Sequence, residues 1–423
     1  MTTDPITVAL LLGGSIIVIG FLGNYLFEHT GFPDMLLLIV LGIFLGPVTG
    51  LVDSSAIMSL ASYLAALALV FILFDGGIAM NIYHVVSESP RSAILGVTGF
   101  VINVIATTLF MTFIVIPDAP LVYSVLFGTI FGGSSSIVVI SIASRIKVSE
   151  KCSTILSLES AITDILCIVV SLAVIEIVLK GVSIDFSTIG QSVVGRFSIG
   201  SVFGIIFGII WLNALRRIVK ASYAYMLTLA VVLLSYALAE YFGGSGALCS
   251  LLFGVVLGNE KEIYKILRIE KPTNTAVDAG LKRFESEVAF LLRTFFFVYM
   301  GLIVTIGSIT TIIIGVILSL MLLLVRFAAV TIATVRCDEL KEERSVMRII
   351  LTRGLAAAVL ATLPLQYADI TKYPEAGPIF QALSPIYIQL AVIVILTTAL
   401  IATLGIPLLK RTRYRRYDVQ SPR

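Results

Sequence analysis

About thirteen times along this chain an apolar run passes with few or no charges, most of them roughly 17–25 residues and long enough to cross a bilayer as an α-helix, the one at 245–258 short and Gly-rich. The runs lie near residues 6–26, 34–51, 57–78, 92–116, 121–143, 153–179, 190–214, 223–242, 245–258, 288–306, 309–333, 345–366 and 386–409. Backbone amides in hydrocarbon find partners only within helices or closed barrels, and barrel strands need only about ten residues. The chain is therefore expected to be an all-α polytopic membrane protein. Its 58% hydrophobic and 13% charged composition and mean hydropathy of +1.06 agree.

Lys and Arg set the orientation. Arg91; Arg145, Lys147 and Lys151; Arg216, Arg217 and Lys220; the Lys261–Arg283 stretch; Arg336, Lys341 and Arg344; and Lys410–Arg416 fall in alternate loops, while the other loops hold Lys180 and Lys372. With thirteen spans this predicts an outside N-terminus, a cytoplasmic C-terminus and a cell-membrane location. The net charge of +3 then reports topology and calls for no nucleic-acid partner. The first run has no basic n-region or small-residue cleavage site and reads as a retained span. Cys152, Cys167, Cys249 and Cys337 lack CxxC spacing, and His29 and His84 have no ligand-spaced neighbours. Reduced apolar thiols and no transition-metal site or cofactor are expected.

Ile39, Gly42, Leu45 and Gly46 recur at the spacing of Leu251, Gly254, Leu257 and Gly258, seven spans later. An odd offset reverses the direction of crossing, so the pattern predicts two inverted repeats, about 1–185 and 222–409, joined by a linker helix at about 190–214. A weaker echo pairs Phe71–Phe74 with Phe297–Met300. Residues 1–409 form the membrane domain, and 410–423 a basic cytoplasmic tail. Carried forward span by span, the repeat sets Gly132-Gly133-Ser134-Ser135-Ser136 roughly opposite Thr352-Arg353-Gly354. Two readings stay open there: broken helices crossing at a site, or small-residue helix packing. The Lys261–Glu287 segment reads as an interfacial or linking helix on the cytoplasmic face.

Charges inside the spans are where chemistry is expected, because each costs on the order of 3 kcal/mol at bilayer depth. The sixth span carries Glu159, Ser160, Thr163 and Asp164. Steps of four residues stack Glu159 over Thr163 and Ser160 over Asp164, so acids and hydroxyls share one side. An all-oxygen cluster of this kind suits a small hard cation or a proton. Asp164 is the candidate that binds both in turn, since proton and cation compete for one carboxylate; the alternative is a structural acid bonded to a neighbouring helix. Ser160, Thr163, Ser134 and Ser135 are candidate oxygen ligands. Arg353, in the twelfth span, is the expected partner of Glu159. Arg326, in the eleventh, is the other buried cation, with Asp75 as its candidate partner. Arg196 and Arg293 lie nearer span ends, where snorkelling suffices.

With Gly31-Phe32-Pro33, Gly42, Gly46-Pro47, the Glu159-Ser160-x-x-Thr163-Asp164 helix and Arg353-Gly354, the chain resembles the monovalent cation:proton antiporter superfamily, closest to the archaeal and bacterial sodium/proton antiporters of the sodium/hydrogen exchanger branch. The resemblance implies a core bundle, a dimerisation scaffold and a homodimer. It also implies that Asp164 binds Na⁺ (or K⁺) and the proton, that Ser160 contributes an oxygen, and that Glu159 pairs with Arg353. Thr163 stands where the branch usually has Asn and its electrogenic relatives a second Asp, which implies electroneutral 1:1 exchange. Ser134-Ser135-Ser136 replaces the usual Thr-Asp-Pro, closer to some potassium-linked members.

The expected activity is secondary antiport of Na⁺ or Li⁺ for H⁺ by alternating access. The alternative is a K⁺/H⁺ antiporter regulated by a separate cytoplasmic nucleotide-binding subunit. The sequence has no HExxH, no GxSxG and no Gly-Asp pair of the aspartyl intramembrane protease type, which disfavours an intramembrane hydrolase; a transporter rather than an enzyme is expected.

Overall fold

In a computed structural model of the chain, residues 5–30, 32–52, 54–79, 90–135, 139, 148–179, 186–218, 223–266, 277–305, 307–335 and 337–420 are described. They form α1 (Pro5–Thr30), α2 (Asp34–Ile43, ending in a π turn, Phe44–Val48), α3 (Ser54–Ala79), α4 (Pro90–Phe110, with a second π turn, Met111–Val115), α5 (Leu121–Ile130), α6 (Glu150–Leu179), α7 (Phe186–Ile218), α8 (Ala224–Tyr241), α9 (Gly246–Gly258), α10 (Glu260–Ile266), α11 (Ala279–Ile303), α12 (Ile309–Ala333), α13 (Arg344–Ile349), α14 (Leu355–Gln366) and α15 (Ala376–Gln420). Among the described residues there is no strand, eight helices are long and apolar enough to cross a membrane, and five further apolar helices are shorter. The chain is a multi-pass membrane protein.

Local chemistry fixes several boundaries. Pro33 and Pro120, lacking an N–H, stand immediately before α2 and α5. Ser245 and Ser308 cap α9 and α12, their hydroxyls accepting from Leu248 N (3.3 Å) and Thr311 N (3.4 Å).

The chain divides into two compact units, neither of which matches a sequence half. The first comprises residues 1–59, 89–179 and 297–423. In it α4 packs on α5, α6 and α12, and α14 packs on α5, α6 and α15. The second comprises residues 60–88 and 180–296. Its core gathers Phe74, Trp211, Leu212, Phe253, Leu257 and Tyr264. The helix expected as a linker over 190–214 is α7, a full member of this second unit packed along α9 and α8. Its Gly200, Gly204 and Gly208 lie against α9 and the turn before it: a Cβ on Gly200 would fall 2.4 Å from Ser245 O and one on Gly204 2.5 Å from Cys249 O. Such closeness is what a small-residue stripe permits.

One contact occurs twice. In the first unit α2 crosses α11 so tightly that a Cβ on Gly42 would meet Val298 O at 2.1 Å, and one on Gly301 would meet Ile39 O at 2.2 Å. In the second, a Cβ on Gly254 would meet Phe74 O at 2.3 Å, and one on Gly77 Leu251 O at 2.2 Å. The residues equated by the sequence repeat, Ile39 with Leu251 and Gly42 with Gly254, therefore make equivalent contacts. The fold is one of inverted repeats. The contacts equate Phe74 with Val298, two positions off the Phe71–Phe297 echo, which a bare run of apolar residues could not register.

The Lys261–Glu287 segment, expected as one interfacial or linking helix, is not a single continuous helix, since residues 277–278 are non-helical. It comprises the end of α10, residues 267–276 outside the described set, and the start of α11. Glu260 anchors its beginning, accepting from Arg216 Nη2 (2.9 Å) and Val277 N (3.2 Å), while the Arg216 guanidinium lies over the Tyr264 ring at 3.7 Å. The basic tail carries on as helix: α15 runs past residue 409 to Gln420.

Candidate functional site

Two spans of the first unit are interrupted. The fifth stops being helical over Phe131–Ser135, and the twelfth is extended over Ile350–Gly354 between α13 and α14. The breaks meet: Ser135 N donates to Thr352 O at 2.7 Å. A Cβ on Gly354 would lie 2.3 Å from Ser135 Oγ, and one on Gly133 would lie 2.9 Å from Cys167 Sγ and 3.0 Å from Thr163 O on α6. Glycine lets the unwound backbone lie flush on its neighbours. Of the two readings left open, crossing broken helices is the one observed. Ser136 lies outside the described residues.

The hydroxyls of α6 gather at the first break. Ser134 Oγ lies 3.0 Å from Glu159 Oε1 and 3.0 Å from Ser160 Oγ, and Ser134 N donates to Thr163 Oγ1 at 3.2 Å. Thr163 Oγ1 in turn donates to Ser160 O at 3.1 Å. All four residues are buried. Asp164, the next residue along α6, is half-buried. Its carboxylate acts electrostatically on the Arg353 guanidinium and the Cys167 thiol.

The charge pairing differs from the expected one. Glu159 is bound by Arg326, with Nη1–Oε1 at 2.9 Å and Nη2–Oε2 at 3.0 Å, while Arg326 Nε donates to Met347 O at 3.0 Å. Two parallel N–H···O bonds satisfy both oxygens of a buried carboxylate at once. Arg353 instead donates through Nη1 to Gly133 O, and its backbone N donates to Thr398 Oγ1 at 3.2 Å. The Glu159–Arg353 pair is thus corrected to Glu159–Arg326: unwinding frees carbonyls at the break, and Arg353 serves one of them. The candidate pair of Asp75 with Arg326 is corrected too. Asp75 belongs to the second unit, where it accepts from Ser286 Oγ at 3.1 Å. Arg196, three turns into α7, binds Glu240 at the end of α8 (2.9 Å).

Asn103 was not singled out from the sequence. It is buried on α4 and donates to Gly132 O at 3.3 Å. As the one amide side chain in an apolar run from 92 to 116, it carried the signal that polar groups at bilayer depth usually carry.

The profile of the family described as "Sodium/hydrogen exchanger, transmembrane" matches residues 15–411. The chain belongs to that family. Among curated relatives it is similar to a K(+)/H(+) antiporter NhaP of Alkalimonas amylolytica, 23% identical over 63% of this chain and 47% of the relative. A K(+)/H(+) antiporter NhaP2 of Shewanella sp. (strain ANA-3) is 27% identical over 62% and 45%, so the chain spans about half the length of these relatives. Among solved structures it is similar to the sodium proton antiporter MjNhaP1 from Methanocaldococcus jannaschii at pH 8, with a TM-score of 0.76, 21% identity and coverage of 96% and 98%. At that identity the likeness is one of fold, and it extends over nearly the whole of both chains.

Proposed function

We propose that this family member is a secondary antiporter that exchanges a monovalent cation for H⁺ by alternating access, and is a transporter rather than an enzyme. The observation that carries the reading is the joining of the two breaks, Ser135 N to Thr352 O at 2.7 Å, beside a buried oxygen set on α6. Unwound backbone at membrane depth survives inside protein or beside a cavity, where ions are bound. Arg326 neutralises Glu159, so the charge that titrates against a cation is assigned to Asp164, with Ser160, Thr163, Ser134 and Ser135 supplying neutral oxygens. A proton on Asp164 and a bound monovalent cation leave the site with the same net charge, which supports electroneutral 1:1 exchange.

The cation is proposed as Na⁺ or Li⁺. The K⁺/H⁺ antiporters among the relatives and the Ser134-Ser135-Ser136 break favour K⁺ as the second reading, together with a separate cytoplasmic nucleotide-binding subunit. The protein is further proposed to work as a homodimer, with its repeats at about 1–185 and 222–409, its N-terminus outside and its C-terminus in the cytoplasm.

Collapse of a preset pH gradient in proteoliposomes, with Na⁺, Li⁺ and K⁺ added separately, tests this. Collapse by Na⁺ and Li⁺ that is lost in Asp164→Asn is expected; collapse mainly by K⁺ selects the second reading. Full exchange by the folded Asp164→Asn protein overturns the site assignment.

A further inference from the structure

Two successive carbonyls of the first break are held by side chains from elsewhere in the same unit. Gly132 O accepts from Asn103 Nδ2 at 3.3 Å, and Gly133 O accepts from Arg353 Nη1. Each of those side chains has one polar atom left over. Asn103 Oδ1 and Arg353 Nε are both fully buried and have no protein partner. The residues are 6% and 3% exposed. The amide orientation is fixed by chemistry, since turning it over would point Oδ1 at the Gly132 carbonyl, another acceptor.

The two residues line the same small internal cavity of about 10 Å³, together with Glu159, Ser134, Gly99 and Ala329 among others. That is room for one water. The lining also decides what kind of molecule fits. A cation there would face the N–H of a guanidinium, and an anion would face the Asn103 carbonyl oxygen and the Glu159 carboxylate. One orphan is an acceptor and the other a donor, so the occupant must donate and accept at once, be neutral, and be no larger than water.

We propose that this cavity is a specific site for a single resident water that donates to Asn103 Oδ1 and accepts from Arg353 Nε. Asn103 is then a positioning residue: the water closes a bridge from α4 to Arg353 and fixes the guanidinium that holds the unwound carbonyl. The site stands on these contacts alone, whichever ion the protein carries.

Gly99 provides the test. It lies inside α4, and a Cβ added there would meet Ala329 Cβ at 3.6 Å, an ordinary contact. If the cavity is dry, Gly99→Ala fills a void and favours the helix, and the melting midpoint of the full-length protein in detergent rises. If the cavity holds the proposed water, the methyl displaces it and strands two buried polar atoms. The midpoint then falls by about 2 °C or more, and Gly99→Ser, whose hydroxyl both donates and accepts, recovers at least half of that loss. An unchanged or raised midpoint in Gly99→Ala overturns the proposal. A density map of the unaltered protein that resolves ordered waters gives a second reading, independent of any variant. One peak within hydrogen-bonding distance of both Asn103 Oδ1 and Arg353 Nε is expected, and an empty cavity or an ion there overturns it.

Discussion

The Arg326 guanidinium grips both oxygens of Glu159, at 2.9 and 3.0 Å, from a helix 167 positions further along the chain. Both side chains are less than a tenth exposed. Removing one partner strands the other charge in a dry interior, which costs about 3–5 kcal/mol. Glu159→Gln and Arg326→Leu are each expected to lower the melting midpoint in detergent steeply. The double variant Glu159→Met/Arg326→Leu, with no charge left unpaired, is expected to recover a large part of the loss. A double variant that loses the sum of the two single effects would show that the pair is not a unit.

Ser134 touches both Glu159 and Ser160 through one hydroxyl. Ser134→Ala deletes an oxygen from the proposed ligand set and leaves the Arg326–Glu159 pair in place. The half-saturating cation concentration should rise several-fold, with turnover at saturation changed less. Proteoliposome flux measured over a range of cation concentrations separates the two, and an unchanged half-saturating concentration would remove Ser134 from the ligand set.

At the α3–α9 crossing there is no space for a side chain. In Gly254→Ala the new Cβ would lie 2.3 Å from Phe74 O, a backbone atom that cannot turn aside. Overpacking of this sort costs about 1–3 kcal/mol. Gly13, inside α1, has nothing within 4 Å of the same position, so Gly13→Ala should be neutral or gain up to about 1 kcal/mol from helix propensity. Thermal melting of the two single variants side by side should give shifts of opposite or sharply unequal size.

Outside the spans, Lys151 pairs with Glu339. The hydrogen bond from Lys151, then its charge, hold the Glu339 carboxyl below its usual range. A lowered carboxyl pKa gives stability that is complete above the ordinary carboxylate value and disappears as pH falls through the lowered one. The midpoint gap between the wild type and Lys151→Met should therefore be flat above about pH 5 and close below about pH 4. It should also shrink with added salt, since the pair is exposed. A gap that widens on acidification would contradict the assignment.

The spans were legible because hydrocarbon tolerates little besides long apolar helices, and the repeat was legible because the α2–α11 and α3–α9 crossings admit only glycine. The oxygen set of Ser134, Ser160 and Thr163 could be read from spacing on α6 and the glycines before it. Which arginine faces Glu159 could not. Arg326 and Arg353 are both buried cations in late spans, and the choice rests on the unwinding at Gly133, whose freed carbonyl claims Arg353. Nor did the repeat reveal that each compact unit is built from segments of both halves of the sequence, because periodicity along one chain carries no information about which copy a helix packs against.

The separation between Glu159 and Arg326 also sets a schedule for biosynthesis. When α6 leaves the ribosome, its guanidinium partner has not been made, and at about 5–20 residues per second the wait is roughly 10–30 s. During that interval the glutamate lacks its guanidinium partner and has to be kept at a wet surface or against other polar groups. Insertion of α6 and completion of the first unit are therefore separate events in time, and α12, which carries Arg326, has to arrive before the buried ion pair can close.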